Sequence, residues 1–324
     1  MTTIALPVIT PHIEERVASA VREGLGGQPK RLPPWLFYDE TGSRLFEEIT
    51  ERPEYYLTRT EREIFAEHAA AIIHEAAQGT RLRIVELGAG SADKTRLLLT
   101  AAAARQGRVV YEPLDVSASA LDAAQKRIEQ EICGVTVLPQ VMDYTHGLEL
   151  ARTNERHLVL YIGSSIGNFD PWQADELLAM IHAGLKPGDV MLLGTDLVKD
   201  EATLLAAYDD VAGVTAAFNL NVLARLNYEL DGDFDLEAFE HRAVWDAAES
   251  RIEMHLVSRI DQRLRLEALD LQVSFHEGET IHTENSYKYR PGQVEGMLRR
   301  AGFEPAGCWT DPRGWFGVCL GRVR

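Results

Sequence analysis

Between residues 82 and 196, short apolar runs alternate with longer stretches whose apolar positions have helical spacing. The runs have the length and β-branched content of strands that are buried on both faces. The predicted strands are Ile84–Leu87, Val109–Tyr111, Val135–Leu138, Leu158–Ile162 and Val190–Leu193, with helices such as Lys94–Ala104 and Ala118–Glu131 between them. This alternation predicts βαβ units, and therefore a parallel sheet covered by helices.

The pattern is different on both sides of this region. Residues 1–62 are predicted to be helical and irregular, and Thr58 with Glu61 is predicted to form a capping box at the start of a helix. The pattern in residues 197–250 predicts helices, and the alternation of helices with strands stops there. The remaining predictions are the strands Arg251–Ile260 and Leu264–Phe275, a polar segment, the helix Pro291–Arg300, and the strands Cys308–Thr310 and Phe316–Leu320.

These patterns predict two domains in the α/β class. The nucleotide-type domain is expected at residues 63–196 plus 289–324. The second, α+β domain is expected to combine residues 1–62 with an insertion at 197–288.

Composition and charge exclude several classes of protein. The 324 residues carry a formal charge of −17 with no cluster of Lys and Arg, so we expect no nucleic-acid partner. Without an apolar run of ~18 residues or a secretory signal, we expect no membrane association and a cytoplasmic location. Cys133, Cys308 and Cys319 form no C-x-x-C pair and are expected to be unpaired thiols. The histidines lack zinc-site spacing, so we expect no metal.

A glycine-rich segment, Val85-Glu86-Leu87-Gly88-Ala89-Gly90, follows the first predicted strand and precedes a helix. Such glycines permit a tight turn and close approach of a ligand to the backbone. Asp93 stands where a dinucleotide fingerprint or a P-loop requires glycine. S-adenosylmethionine has no phosphate and tolerates an acid there, and Glu-Leu-Gly-x-Gly resembles the first motif of Rossmann-like methyltransferases.

Polar residues follow the next three predicted strands. Asp115 is suited to accept hydrogen bonds from ribose hydroxyls, and Asp143-Tyr144 follows the third strand, where an adenine would lie. Lys94 is a candidate partner for the methionine carboxylate, although a surface lysine fits the same spacing. Asn168 follows the fourth strand and is placed to meet a substrate amine or carboxylate, although an asparagine in a turn fits equally.

Long strings in the chain resemble the histidine-specific methyltransferase family of ergothioneine biosynthesis. They are RLPPWLFYDETGSRLFEEITERPEYY, ELGAGSADKT, GSSIGN, LLGTDLVKD, AYDDVAGVTAAFNLNVL, DFDLEAFEH and SRIEM. The resemblance extends from about residue 30 to the C-terminus. It implies a Rossmann-like SAM methyltransferase domain with a second, inserted α+β substrate domain. It also implies that three methyl groups pass from S-adenosylmethionine to the α-amino group of free L-histidine, which gives hercynine.

The resemblance also implies roles for individual residues. Gly88, Lys94, Asp115, Asp143 and Tyr144 match cosubstrate positions. Tyr55 matches a residue of the histidine site, Asn168 and Tyr208 match groups that hold the substrate carboxylate, and Met254 matches the histidine-specific members. Tyr38 and Phe218 match aromatic residues around the amine, with Tyr38 and Asn168 as the expected catalytic pair.

Glu284 and Ser286 match the pair that binds the imidazole in this family. Their spacing supports this role, because residues two apart on a strand face the same side. A carboxylate accepts from an imidazole N–H, and a hydroxyl serves the other ring nitrogen. From the residues alone, a solvated polar strand is the simpler interpretation of this segment, and Met254 alone is simply a core residue.

Three alternatives remain at this stage. The same fold serves methyltransferases of other aromatic amino acids, such as tryptophan derivatives; Glu284, Ser286 and Met254 argue against that substrate. A glycine turn also occurs in NAD-dependent dehydrogenases, against which Asp93 argues. A binding module that lost its activity would bind the cosubstrate without turnover. We expect the protein to act as a monomer on a small-molecule substrate.

Overall fold

The structure is a computed structural model that describes residues 10–324, except residues 91, 143, 145, 146 and 149 and the side chains of residues 10–14 and 119. The helices are α1 Thr10–Gly26, α2 Glu40–Thr50, α3 Tyr56–Ala77, α4 Thr95–Gln106, α5 Ala118–Glu131, α6 Pro171–Ala183, α7 Glu201–Tyr208, α8 Val214–Leu230 and α9 Gln293–Arg300. The strands are β1 Lys30–Arg31, β2 Leu82–Leu87, β3 Val109–Asp115, β4 Val135–Val137, β5 Gln140–Val141, β6 Arg156–Tyr161, β7 Val190–Asp196, β8 Phe239–Asp246, β9 Arg251–Ser258, β10 Gln262–Leu266, β11 Leu271–Phe275, β12 Thr280–Tyr287, β13 Phe303–Thr310 and β14 Phe316–Val323.

The chain forms two compact units. The first unit contains the described residues through Tyr55 together with Asp200–Ser286. The second unit contains Tyr56–Lys199 and Tyr287–Arg324. Each unit is therefore built from segments that are distant in the sequence.

The second unit is organised around a sheet with the strand order β13-β14-β7-β6-β2-β3-β4. Strands β7, β6, β2, β3 and β4 are parallel, whereas the hairpin β13–β14 is antiparallel and joins the sheet at β7. The α/β class with a parallel sheet is thus confirmed. Apolar strand side chains such as Val85, Val159 and Leu193 are buried in its core, as is usual for strands covered on both faces.

The topology places polar residues at one edge of this sheet. Because β2, β3, β6 and β7 run in the same direction, their carboxyl ends lie together. The residues at or just after these ends are Gly88, Asp115, Gly163 and Asp196. Ligands of open α/β sheets bind outside such carboxyl ends.

The first unit contains a smaller sheet with the order β1-β12-β9-β8 and the separate hairpin β10–β11. Helix α8 packs against β8 and β9 and also contacts α2. Val17, Val21 and Leu25 of α1 are buried, because residues four apart lie on one face of a helix.

Three local predictions were wrong. Residues 239–246 form a strand instead of a helix, because every residue from Phe239 to Asp246 is paired with a residue of β9. The predicted single strand Leu264–Phe275 is a hairpin, broken by a turn in which Asp270 has a φ of 46°. Helix α3 begins at Tyr56, so Thr58 lies within the helix and does not cap it.

The prediction of unpaired thiols was also wrong for two of the three cysteines. Cys308 and Cys319 face each other in the register of β13 and β14, with their Cα atoms 4.2 Å apart, and form a disulfide. Cys133 is a free, exposed thiol. The separation of 11 residues gave no signal of pairing, because the pairing depends on the hairpin register.

None of the described helices is both long enough and apolar enough to cross a membrane.

Candidate functional site

The glycine-rich turn after β2 is held by the end of β3. Gly88 has a φ of 69°, a conformation that favours glycine, and its N–H donates to the carbonyl of Leu114 at 2.8 Å. The N–H of Gly90 donates to the Asp115 carboxylate at 2.9 Å, and that of Ser117 donates to its other oxygen at 2.9 Å. Since each carboxylate oxygen has more than one lone pair, Asp115 retains capacity to accept further hydrogen bonds.

Tyr144 lies against this turn. A methyl group built on Gly88 would stand 3.4 Å from the Tyr144 hydroxyl, so glycine leaves a narrow open space there. The ring of Tyr144 meets Tyr161 edge to face at 6.0 Å. Gly88, Asp115 and Tyr144 are therefore at the same edge of the sheet, whereas Asp143 lies outside the described residues.

Glu86, at the end of β2, is buried beneath the turn. The hydroxyls of Tyr111 and Thr95 both donate to its carboxylate. Burial raises the pKa of Glu86 to about 7, although these two hydrogen bonds favour the charged form. The side chain thus ties β2 and β3 to the first turn of α4.

Lys94 forms an ion pair that the sequence did not predict. Its Nζ lies 2.5 Å from the Glu61 carboxylate, and both Glu61 oxygens accept from the Gly163 N–H, at 2.9 and 3.0 Å. Glu61 is fully buried, whereas Lys94 keeps 21% of its side-chain surface exposed.

Asn168 is the last residue of a 3-10 turn, Ser165–Asn168, after β6, and it is half-buried. The preceding Gly167 packs closely on the backbone of Tyr287, because a methyl group there would lie 2.9 Å from its carbonyl oxygen. The Tyr287 hydroxyl in turn donates to Asp170 at 3.0 Å. These contacts fix the turn that carries Asn168.

A second buried cluster surrounds Asp196 at the end of β7. Its carboxylate accepts from Lys288 at 2.8 Å, from Lys199 at 2.6 Å and from the Tyr56 hydroxyl at 2.7 Å. Burial lowers the pKa of Lys199 to about 8, while Asp196 opposes this shift. Tyr56, Lys199 and Lys288 lie at or next to the ends of the second unit's segments, so the cluster ties those ends together.

In the first unit, Tyr38 lies in a tightly held connection between a 3-10 turn, Pro34–Phe37, and α2. Asp39 caps α2 by accepting from the Gly42 N–H, and it also accepts from the Asn221 side chain at 2.8 Å. Arg225 donates to the carbonyl of Leu36 at 2.9 Å. Tyr38 itself remains 36% exposed.

Aromatic rings form a continuous cluster in this unit. Tyr38 meets Phe218 at 5.8 Å and Phe46 at 5.7 Å between ring centroids. Phe46 also contacts Tyr55 at 6.2 Å, and Tyr55 contacts Tyr208 at 6.5 Å. The structure therefore brings Tyr38, Tyr55, Tyr208 and Phe218 together. Phe46, which the sequence analysis did not select, joins them.

Tyr208, at one end of this cluster, contacts β12 through its hydroxyl. The Tyr208 hydroxyl and the Ser286 hydroxyl form a hydrogen bond of 2.7 Å. Glu284, two residues earlier on β12, is also buried, with 8% of its surface exposed. Met254 is buried on β9, and its carbonyl accepts from Thr283 at 3.0 Å.

His241 on β8 connects α7 and α8 through hydrogen bonds of its ring. It bonds to the Tyr208 carbonyl through Nε2 at 2.8 Å and to the Asn219 amide nitrogen through Nδ1 at 2.9 Å. The Asn219 oxygen accepts from Thr283 at 2.8 Å. Because Asn219 donates and the carbonyl accepts, this arrangement requires neutral His241 with its proton on Nε2. Burial lowers the pKa of His241, which favours that neutral form.

Among the described residues, one group of potential metal ligands lies close together, namely Glu295, Cys308 and Cys319. The two sulfur atoms of this group are bonded to each other.

Comparisons with known proteins identify the family of the chain. The family model described as "Histidine-specific methyltransferase, SAM-dependent" matches residues 17–323. A histidine N-alpha-methyltransferase from Mycolicibacterium smegmatis is 47% identical over 94% of this chain and 94% of its own length. One from Mycobacterium tuberculosis is 45% identical over 93% of this chain and 92% of its own. An L-tryptophan methyltransferase from Psilocybe serbica is 26% identical over 97% of this chain and 93% of its own.

The family and the sheet topology together confirm the predicted Rossmann-like fold and the SAM-dependent methyltransferase activity. Because the family model spans almost the entire chain, and because two relatives are more than 40% identical over most of both chains, this protein belongs to the histidine-specific, SAM-dependent methyltransferases.

Proposed function

We propose that this protein transfers three methyl groups from S-adenosylmethionine to the α-amino nitrogen of free L-histidine, which gives Nα-trimethylhistidine (hercynine), the betaine of ergothioneine biosynthesis. The observation that carries the proposal is the pair of buried polar residues on β12, Glu284 and Ser286, beside an aromatic cluster. The names of the relatives at 45% and 47% identity support the choice of histidine.

In this proposal, Glu284 and Ser286 bind the imidazole of histidine. A carboxylate and a hydroxyl serve both ring nitrogens, one as acceptor from the N–H and the other as donor or acceptor. An indole has a single N–H and a larger ring, so one of these buried groups would lose its partner, which is costly. Met254 completes the binding site as an apolar neighbour.

Tyr38, Phe218 and Tyr55 surround the amine, and Tyr208 holds the carboxylate. Each methylation removes an N–H donor, and the third leaves a fixed cation. Aromatic faces attract such a cation without requiring hydrogen bonds. An aromatic site therefore retains the partly methylated amine through the three rounds. Asn168 is assigned to the carboxylate as well, on the resemblance to the family.

On the cosubstrate side, the second unit offers a cradle at Gly88 that a side chain would fill, with Tyr144 beside it. S-adenosylmethionine supplies an electrophilic methyl group when it is bound. We assign Asp115 to the ribose hydroxyls, Asp143 and Tyr144 to the adenine, and Lys94 to the methionine carboxylate. The substrate domain is assigned to the first unit and the methyltransferase domain to the second.

The residues of the chain contribute mainly by orientation. Holding the neutral amine in line with the methyl group accounts for a large part of a displacement rate. Tyr38 and Asn168 orient the amine, and its proton leaves to solvent without a dedicated base. A Tyr38→Phe variant should therefore keep kcat within about a hundredfold of wild type. A loss of about four orders of magnitude with histidine binding intact would contradict this mechanism.

A tryptophan-type substrate is the main competitor, since an L-tryptophan methyltransferase is similar over 97% of this chain. That relative is 26% identical, below the 45% and 47% of the histidine methyltransferases. The single N–H of an indole can serve only one of the two buried polar groups, Glu284 and Ser286. A cytoplasmic location, a monomeric state and independence from metals stay predictions.

The test uses the purified protein with histidine and cosubstrate labelled with ¹³C at the methyl group. The proposal predicts a single final methyl resonance that arises from three equivalent methyl groups on the α-nitrogen. Label on an imidazole nitrogen, or a reaction that stops after one methyl group, would overturn it.

A further inference from the structure

Glu61 lies in the second turn of α3, and its carboxylate is fully buried. Both of its oxygens accept from the backbone N–H of Gly163, the second residue after β6. One oxygen also pairs with Lys94, which precedes α4. One side chain therefore joins the end of β6 to the turn that follows the glycine motif.

Two glycines leave the room that this arrangement needs. A methyl group on Gly194 of β7 would overlap the Glu61 carboxylate. A methyl group on Gly163, which has a φ of 80°, would lie 3.0 Å from the Lys94 Nζ. The backbone is thus open at both points where the ion pair lies.

A buried ion pair is weak evidence for a contribution to stability, because the loss of hydration offsets most of the attraction. A neutral side chain at position 61 would avoid that cost. Burial raises the pKa of the neighbouring Glu86, and the charges of Lys94 and Glu61 act on it in opposite directions. Such clusters at the carboxyl edge of a sheet are more common at functional sites than elsewhere.

We propose that Glu61 is a positioning residue for cosubstrate binding: it fixes the Lys94 ammonium so that its other donors meet the methionine carboxylate of S-adenosylmethionine. The proposal rests on the assignment of Lys94 in the proposed function. An ammonium has three donors, and Glu61 occupies one of them. Lysine has a long, flexible stem, so fixing it before the ligand arrives removes an entropic cost of binding.

The experiment compares two ligands that differ in the group Lys94 recognises. S-adenosylhomocysteine carries the amino-acid carboxylate, whereas 5′-methylthioadenosine has the adenosine part without it. Dissociation constants for both are measured by titration calorimetry on wild type, Glu61→Gln, Lys94→Met and the double variant. Glu67→Gln is the matched control, because Glu67 lies on the same helix and is 63% exposed.

We expect Glu61→Gln to weaken S-adenosylhomocysteine by about tenfold or more, the usual effect of losing one hydrogen bond to a charged group. Methylthioadenosine should bind Glu61→Gln as it binds wild type, and the double variant should be no weaker than Lys94→Met alone. Equal weakening of both ligands would overturn the proposal, because it would indicate a purely structural role. So would unchanged binding of S-adenosylhomocysteine, or additive losses in the double variant.

These outcomes are separate from those of the proposed function. A protein that fails to methylate histidine but shows the ligand-specific loss in Glu61→Gln would refute the substrate and keep this inference. If the wild type trimethylates histidine and the Glu61→Gln variant binds both ligands as the wild type does, only the inference on Glu61 would be refuted.

Discussion

Glu284 is the buried side chain that is proposed to select the substrate. It has 8% of its surface exposed, and it lies two residues from Ser286, which is tied to Tyr208. A carboxylate in such a place loses hydration, so a ligand that donates a hydrogen bond to it is favoured over one that does not. In the proposed function, the imidazole N–H of histidine makes that donation.

Glu284→Ala should raise the KM for histidine by roughly 10- to 100-fold, because a hydrogen bond to a charged group is lost. The ratio of kcat/KM values for histidine and for tryptophan should fall at the same time. Steady-state kinetics with both amino acids provide the measurement. Glu277→Ala, an exposed glutamate of the same unit, is the control and should behave as wild type. An unchanged KM for histidine in Glu284→Ala would refute the imidazole assignment.

The contacts of two residues, Glu61 and Phe46, could not be predicted from local spacing. Glu61 was interpreted as a capping residue from the spacing to Thr58, yet α3 begins two residues before Thr58 and buries Glu61 against Lys94. Phe46 was not selected, because its role depends on contacts with Tyr38 and Tyr55 from other segments. Local spacing carries no information on such contacts.

At the scale of elements, His241 of β8 joins α7, α8 and β12. It bonds to the Tyr208 carbonyl and to Asn219, and Asn219 bonds to Thr283. Protonation would put a second donor on the ring, facing the Asn219 donor. The neutral ring therefore supports β12, which carries the residues proposed to bind the imidazole of the substrate. It also supports α7, which carries Tyr208, proposed to hold the substrate carboxylate.

His241 should make stability depend on pH in a defined direction. Burial lowers its pKa, while Asp209 and Asp210 oppose and His255 adds to this shift. The unfolded chain then binds more protons at this position than the folded protein. The stabilisation is complete above the ordinary histidine pKa of about 6.5 and is lost as the pH falls through the folded value.

Melting temperatures measured between about pH 7.5 and 5.5 test this prediction. His241→Gln keeps a donor for the Tyr208 carbonyl and cannot titrate, so its melting temperature should fall less than that of wild type. His276→Gln removes a histidine whose side chain is 90% exposed and should follow wild type. Equal pH dependence in His241→Gln and wild type would contradict the proposed role of the neutral ring.

Elements differed in how well the sequence predicted them. The strands of the parallel sheet were found because continuous apolar runs mark strands that are buried on both faces. Strand β8 was missed, since its residues are mixed in polarity and the strand is defined by pairing with β9. The disulfide between Cys308 and Cys319 was missed for the same reason, because only the hairpin register places them opposite each other.

At the scale of the whole molecule, each unit is assembled from separate segments of the chain. The alternation of strands and helices predicted the sheet of the second unit. The chemistry of the first unit could not be derived from spacing, because Tyr38, Phe218 and Ser286 come from three distant segments. Resemblance to the family supplied those assignments, and the structure shows which of them are in contact.

Free L-histidine is the proposed substrate of this protein. The most direct measurement is mass spectrometry of the purified protein incubated with S-adenosylmethionine and an equimolar mixture of the free amino acids. We expect that histidine alone gains mass and that it gains three methyl groups. Methylation of tryptophan or another amino acid in preference to histidine would refute histidine as the substrate and would leave the fold and the cosubstrate unaffected.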